Sequence, residues 1–202
     1  MPPVLGLDFD NTLICYDEVF YQVAREKSLI PDVISRDKIS VRRYLRETGR
    51  EDEWTKLQGE VYGPRIDEAT IFDGALEAIS ALMHAGVHVC LVSHKTRTPY
   101  LGEAYDLHAS ATAWLERHKF FSDDGMNWVS DQVFFETTKE MKIARILGQG
   151  CTHFLDDLPE ILHMLPDEVG RIQFAPRKDQ YDAQCNAWPQ IGHWRELPNL
   201  VS

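Results

Sequence analysis

Residues 4 to 12 read Val4-Leu5-Gly6-Leu7-Asp8-Phe9-Asp10-Asn11-Thr12, and their order decides the fold. Val4 to Leu7 is a short apolar run of the kind a fully buried strand requires. It stops abruptly at Asp8, after which every side chain to Thr12 is polar except Phe9. The period of two along a strand points Asp8 and Asp10 to one side and returns Phe9 to the packing. Two carboxylates crowded at the carboxyl end of a buried strand repel each other and lose hydration. They need a cation, a proton or a hydrogen-bond donor to persist. In open α/β sheets that end of the strand is also where ligands bind. The competing reading is a solvated β-turn, because Asp and Asn both favour turns.

Beyond residue 70 the same pattern recurs. Asp73-Gly74 opens a helix with Leu76, Ile79, Leu82 and Met83 on one face, closed by Gly86. His88-Val89-Cys90-Leu91-Val92 then reads as a buried strand ending in Ser93-His94-Lys95. A helix follows with Leu107, Ala111, Trp114 and Leu115 in register, and Val133-Phe134-Phe135 is a weaker third strand. Thr138 caps a helix with Lys139 in its first turn and Lys142 one turn further in. His153-Phe154-Leu155 is a fourth strand, ending in Asp156-Asp157, and Pro159 starts the next helix. Arg171 to Phe174 is a fifth, and the tail with Trp188, Trp194 and Leu197 is expected to pack on the body. Strands alternating with helices predict a three-layer, Rossmann-like α/β fold with a mostly parallel sheet.

Residues 14–70 interrupt that rhythm. Asp17 can cap a helix with Val19, Phe20, Val23 and Ala24 inward, and Pro31 interrupts it. A second helix follows Ser35, with Ile39, Val41, Tyr44 and Leu45 apolar and Arg42, Arg43 and Arg46 basic. A third segment carries Trp54 and Leu57. The division expected is an α/β core from 1–13 and 71–202, with a small all-helical cap inserted over 14–70. The arginine trio is either a solvated face or a selector of anionic substrates.

The composition narrows the function classes. With 21 basic against 32 acidic residues, the net charge of −11 argues against a nucleic-acid or anionic-membrane surface. An anionic substrate must therefore be held by local positive charge or by a metal. Cys15, Cys90, Cys151 and Cys185 form no Cys-x-x-Cys pair and read as reduced thiols. The Met-Pro-Pro start has neither a basic nor an apolar leader region, and no stretch reaches membrane-spanning length. A soluble cytoplasmic protein is expected.

Strand ends at Asp8/Asp10, Ser93 and Asp156/Asp157, with the Lys139 region, bring four carboxylates, a hydroxyl and an ammonium to one sheet edge. Oxygen ligands in that excess over positive charge suit Mg²⁺.

These residues resemble the motifs of the haloacid dehalogenase (HAD) superfamily, in its phosphatase branch. Asp8, Asp10 and Thr12 match Asp-x-Asp-x-Thr, Ser93 the strand-end Ser/Thr, Lys139 the helix-start lysine, and Asp156-Asp157 the strand-end acidic pair. The dehalogenating branch lacks the second aspartate of the first motif, whereas Asp10 is present. The insertion sits where the family carries a C1-type helical cap.

The resemblance implies a Mg²⁺-dependent phosphatase acting on a small phosphorylated metabolite through an aspartyl-phosphate. Asp8 would be the nucleophile and Asp10 the general acid and base. Mg²⁺ would be held by Asp8, the Asp10 main-chain carbonyl and Asp156, with Asp157 supporting the metal site from one layer out. Ser93, Lys139 and Thr12 would bind phosphate, with Thr12 also placed to stabilise the loop after Asp8. Lys142 is the other candidate for the third motif, and the first-turn position of Lys139 favours Lys139. His94 and Lys95 stay outside the assigned set. A phosphoryl-transferase or phosphomutase on the same scaffold is an alternative, as is a phospho-receiver. A receiver carries its acidic pair after the first strand and has no helical insertion. Substrate identity and oligomeric state are not legible.

Overall fold

Val4–Leu7 forms strand β1, with Leu5, Gly6 and Leu7 buried. The computed structural model describes residues 2–177, 180 and 187–201, so Cys185 lies outside the described residues. In chain order the elements after β1 are β2 (Ile14–Cys15), α1 (Asp17–Glu26), α2 (Lys38–Glu47), α3 (Glu51–Tyr62), β3 (Thr70–Ile71), α4 (Ala75–His84) and β4 (His88–His94). They continue with α5 (Leu107–Arg117), β5 (Val133–Glu136), α6 (Lys139–Gly148), β6 (His153–Asp156), α7 (Pro159–Met164), β7 (Gly170–Phe174) and β8 (Gln190–Ile191).

Six strands make one sheet in the order β5-β4-β1-β6-β7-β8, with every pairing parallel. The three-layer, Rossmann-like α/β class expected is the class observed. β1 sits between β4 and β6, with Leu7 level with Leu91 on one side and Leu155 on the other. Parallel pairing needs long crossovers, which α4, α6 and α7 supply while covering the strands. The glycine inside β1 has a packing reason: a Cβ on Gly6 would lie 2.5 Å from Phe154 Cδ2. Strand β8 escaped the sequence reading because two residues make no periodic signal. Trp194 and Leu197 of the tail are fully buried, as expected.

The chain forms two compact units. One comprises Met1–Ile14, Ile71–His94 and Met126–Ser202, and the other Cys15–Thr70 with Lys95–Gly125. In the second unit α1 buries Val19, Phe20, Val23 and Ala24, and Phe20 stacks on Trp54 at 4.9 Å. The helix after Ser35 is capped by Asp37, whose carboxylate accepts the Ser40 N–H at 2.7 Å. Segment 95–125, expected in the core, groups instead with 15–70. Helix α5 turns its apolar face onto α3 and the short 3₁₀ turn Ile66–Glu68. There Trp114 Nε1–H donates to Ala69 O at 3.1 Å, and Arg117 pairs with Asp67. Arg42, Arg43 and Arg46 are exposed, and Arg46 is forked onto Glu51 through two 2.6 Å bonds. Among the described residues no helix is long and apolar enough to cross a membrane.

Candidate active site

The site is built at the carboxyl ends of β1, β4 and β6, within the sheet unit. The Asp8 N–H continues the β1–β6 ladder by donating to Leu155 O at 2.9 Å. The chain then folds back on itself. Leu13 and Ile14 N–H both donate to Phe9 O, Asn11 N–H donates to Ile14 O, and Asp10 bridges Ile14. Asn11 takes the left-handed conformation at φ +60°, which asparagine tolerates better than most residues. Phe9 is fully buried, edge-on to Phe135, as period-two alternation requires. The turn proposed as the competing reading is therefore present, but it follows a buried strand and holds its first carboxylate inside.

Three donors and two acidic side chains form the centre. Asp8 Oδ1 accepts from Ser93 Oγ at 3.0 Å and from Lys142 Nζ at 2.6 Å. The same ammonium donates to Asp156 Oδ2 at 2.6 Å, while Asp156 Oδ1 accepts the Leu158 N–H at 2.9 Å. Asp8 Oδ2 takes no hydrogen bond from the described residues. Asp8, Ser93, Lys142 and Asp156 are all buried, and Lys142 also lies over the Phe154 ring at 5.3 Å. Burial in this environment costs several kcal/mol per ion unless partners compensate.

Lys142, not Lys139, occupies the centre. Lys139 is at the surface, paired with Glu160 at 2.6 Å. The reason lies in helix geometry. Cα–Cβ bonds tilt toward the helix N-terminus, so a long side chain leaving one turn in sweeps back over the first turn to the strand ends. Thr138 caps the helix through the Met141 N–H, as its sequence position predicted. Thr12 also departs from its assignment to phosphate. It is fully buried, and its hydroxyl accepts the Asp157 N–H at 3.1 Å, joining the loop after β1 to the loop after β6. Asp10 is half-buried on the loop after β1, and His94 contacts Thr137 O at 3.2 Å.

The charge balance leaves room for a proton or a cation. Burial, with Asp8 alongside, pushes the Asp156 carboxyl up to about 7 against the pull of Lys142. Burial works against the Lys142 ammonium too, but Asp156 and Asp8 together overcome it and hold its pKa above the usual lysine value. One ammonium thus serves two buried carboxylates, and a proton or a cation must balance the pair. Asp157 adds a third carboxylate. Oxygens of Asp8, Asp156 and Asp157 all lie within 4.8 Å of one another, a group that could hold a metal ion. Every ligand is a carboxylate oxygen, which fits a hard divalent cation.

No protein-family model and no curated protein sequence matches the chain. Solved structures do. The HAD-hydrolase YfnB of Bacillus subtilis, in an orthorhombic form bound to magnesium, aligns with 100% of this chain and 99% of its own, with a TM-score of 0.63 at 12% identity. A HAD-superfamily hydrolase of Ehrlichia chaffeensis aligns over 99% and 96%, with a TM-score of 0.57 at 15% identity. A dehalogenase aligns over 100% and 98%, with a TM-score of 0.58 at 12% identity. The fold of this chain is thus the one shared by HAD-superfamily hydrolases. The acidic pair Asp156-Asp157 lies at the end of β6, whereas a receiver carries its acidic pair after the first strand.

Proposed function

We propose that the chain is a Mg²⁺-dependent phosphohydrolase that removes phosphate from a small phosphorylated metabolite through an aspartyl-phosphate. The observation that carries the reading is Lys142 Nζ held between Asp8 Oδ1 and Asp156 Oδ2, with Ser93 Oγ on the same Asp8 oxygen. A bare carboxylate is a weak nucleophile toward an anionic ester, and two fixed donors beside it reduce that repulsion. Asp8 Oδ2 is the oxygen left to attack. It forms the new P–O bond as the ester P–O bond breaks, and Asp10 gives a proton to the departing oxygen. Asp10 then takes a proton from the water that cleaves the acyl phosphate, which regenerates Asp8. Lys142 and Ser93 stand where they can turn to the phosphoryl oxygens. Mg²⁺, held by Asp8, Asp156 and Asp157 with the Asp10 main-chain carbonyl, would offset charge between nucleophile and phosphate.

The same fold serves a dehalogenase, so the reaction must be argued from the site. Asp10 supports phosphate chemistry, because ester cleavage needs a proton at the leaving oxygen whereas halide departure does not. The net charge of −11 supports a small substrate over a nucleic acid. The test is phosphate release from p-nitrophenyl phosphate and a panel of phosphorylated sugars, nucleotides and amino acids, with Mg²⁺ and with EDTA. Mg²⁺-dependent turnover is expected. Halide release from 2-haloacids with no phosphate release would overturn the reading, as would phosphate release that survives full chelation.

A further inference from the structure

Thr12 is gripped from two sides. Its hydroxyl accepts the Asp157 N–H at 3.1 Å, and its carbonyl accepts the indole N–H of Trp194 at 3.1 Å, 182 residues away in sequence. Thr12 and Trp194 are both fully buried. The Trp194 ring is fixed in turn. It lies against Phe174 at the end of β7, at 5.9 Å, and Phe174 meets Phe72 edge-on at 4.8 Å. The 3₁₀ turn that begins at Trp194 is closed by Glu196, whose carboxylate accepts the His193 N–H at 2.9 Å. The indole donor therefore comes from a rigid mount, and its acceptor belongs to the loop that follows Asp8 and Asp10.

We propose that Trp194 is a positioning residue for the acidic centre. Its N–H fixes the Thr12 carbonyl, and Thr12 then fixes the backbone of Asp157 through its hydroxyl. The spacing of Asp8, Asp156 and Asp157 thus depends on a tail segment that reaches them through Thr12. A buried carbonyl without its donor must find another partner, and any shift of Thr12 toward one is passed to Asp157 through the Thr12 hydroxyl. The inference rests on the reading of this centre as a Mg²⁺ site.

Trp194→Phe keeps the ring and removes the donor. Titration calorimetry with MgCl₂ should show affinity weakened about tenfold, the lower end of what outer-shell partners contribute. Turnover of p-nitrophenyl phosphate should fall at low Mg²⁺ and recover at high Mg²⁺, with KM for the ester unchanged. Leu197→Ala, in the same buried turn, should lower Tm and leave Mg²⁺ affinity alone. If Trp194→Phe lowers Tm but binds Mg²⁺ as the wild type does, Trp194 is structural only and the inference fails. Should that variant not fold, the wild-type protein gives the answer by NMR. Mg²⁺ should slow exchange of the Trp194 indole proton and leave Trp114 unaffected, and equal rates with and without Mg²⁺ would overturn the inference. A wild-type protein that binds no Mg²⁺ would overturn the proposed function along with it.

Discussion

Replacing Lys142 by Met keeps the volume of the side chain and removes its charge. The oxygens of Asp8 and Asp156 then face each other within 4.8 Å, with only Ser93 and the Leu158 N–H still donating to them. At that distance two unit charges would repel by about 3 kcal/mol with an effective dielectric constant near 20, an upper limit because Asp156 can take up a proton instead. Breaking a buried ion pair by removing one partner costs about 3–5 kcal/mol, so the two figures agree. Metal-free Lys142→Met at pH 7 should thus lose up to about 3 kcal/mol of unfolding free energy, at most about a 10 °C fall in Tm for a chain of this size. Mg²⁺ should restore much of that loss, because a divalent ion neutralises the same pair. It should not restore activity, since the proposed mechanism takes the missing donor to the phosphoryl group, and loss of such a donor costs about 10²–10³ in kcat. Urea unfolding with EDTA and with MgCl₂, alongside p-nitrophenyl phosphate turnover, checks both halves. Lys139→Met is the control, and its surface pair with Glu160 should be worth less than about 1 kcal/mol. If Lys139→Met is the more damaging of the two, the placement of Lys142 at the centre is refuted.

Three further expectations concern the acidic centre and the helical unit. Asp8→Asn should stop turnover without trapping an intermediate, while Asp10→Asn should slow both half-reactions by about 10²–10⁴; rapid-quench detection of acid-stable aspartyl-phosphate separates them. The raised Asp156 pKa means that this group favours the metal-free fold at low pH and that the benefit is lost as pH climbs through about 7. Because Mg²⁺ takes the deprotonated form, its Tm increment by differential scanning fluorimetry should be larger at pH 8 than at pH 5.5, and an increment that does not change with pH would count against Asp156 as a ligand. Arg42→Ala with Arg46→Ala should leave kcat/KM nearly unchanged on every substrate, since Arg46 is spent on Glu51 and the trio is exposed; selective loss on an anionic substrate would reinstate the arginines as selectors.

What the sequence by itself determined is what short-range rules encode. The burial of β1, the inward Phe9, the Thr138 cap and the polar ends of β1, β4 and β6 all follow from periods of two and 3.6 and from one residue's fit to its own turn. These rules give the fold class and bring Asp8, Ser93 and Asp156 to one edge of a parallel sheet. Which lysine reaches that edge was decided by the tertiary structure, because both candidates sit near the start of α6 and only the sweep of each side chain separates them. The same holds for Thr12. A hydroxyl beside two carboxylates looks like a phosphate ligand until the loop after β6 arrives with the Asp157 N–H. Segment 95–125 follows α/β order in sequence, yet Trp114 finds its acceptor at Ala69, a choice that no local pattern records. Trp194 lies furthest from legibility, since its partner stands 182 residues away and neither residue carries a motif for the other. Long-range hydrogen bonds of this kind are chosen by how whole elements dock, which depends on surfaces contributed by many residues at once.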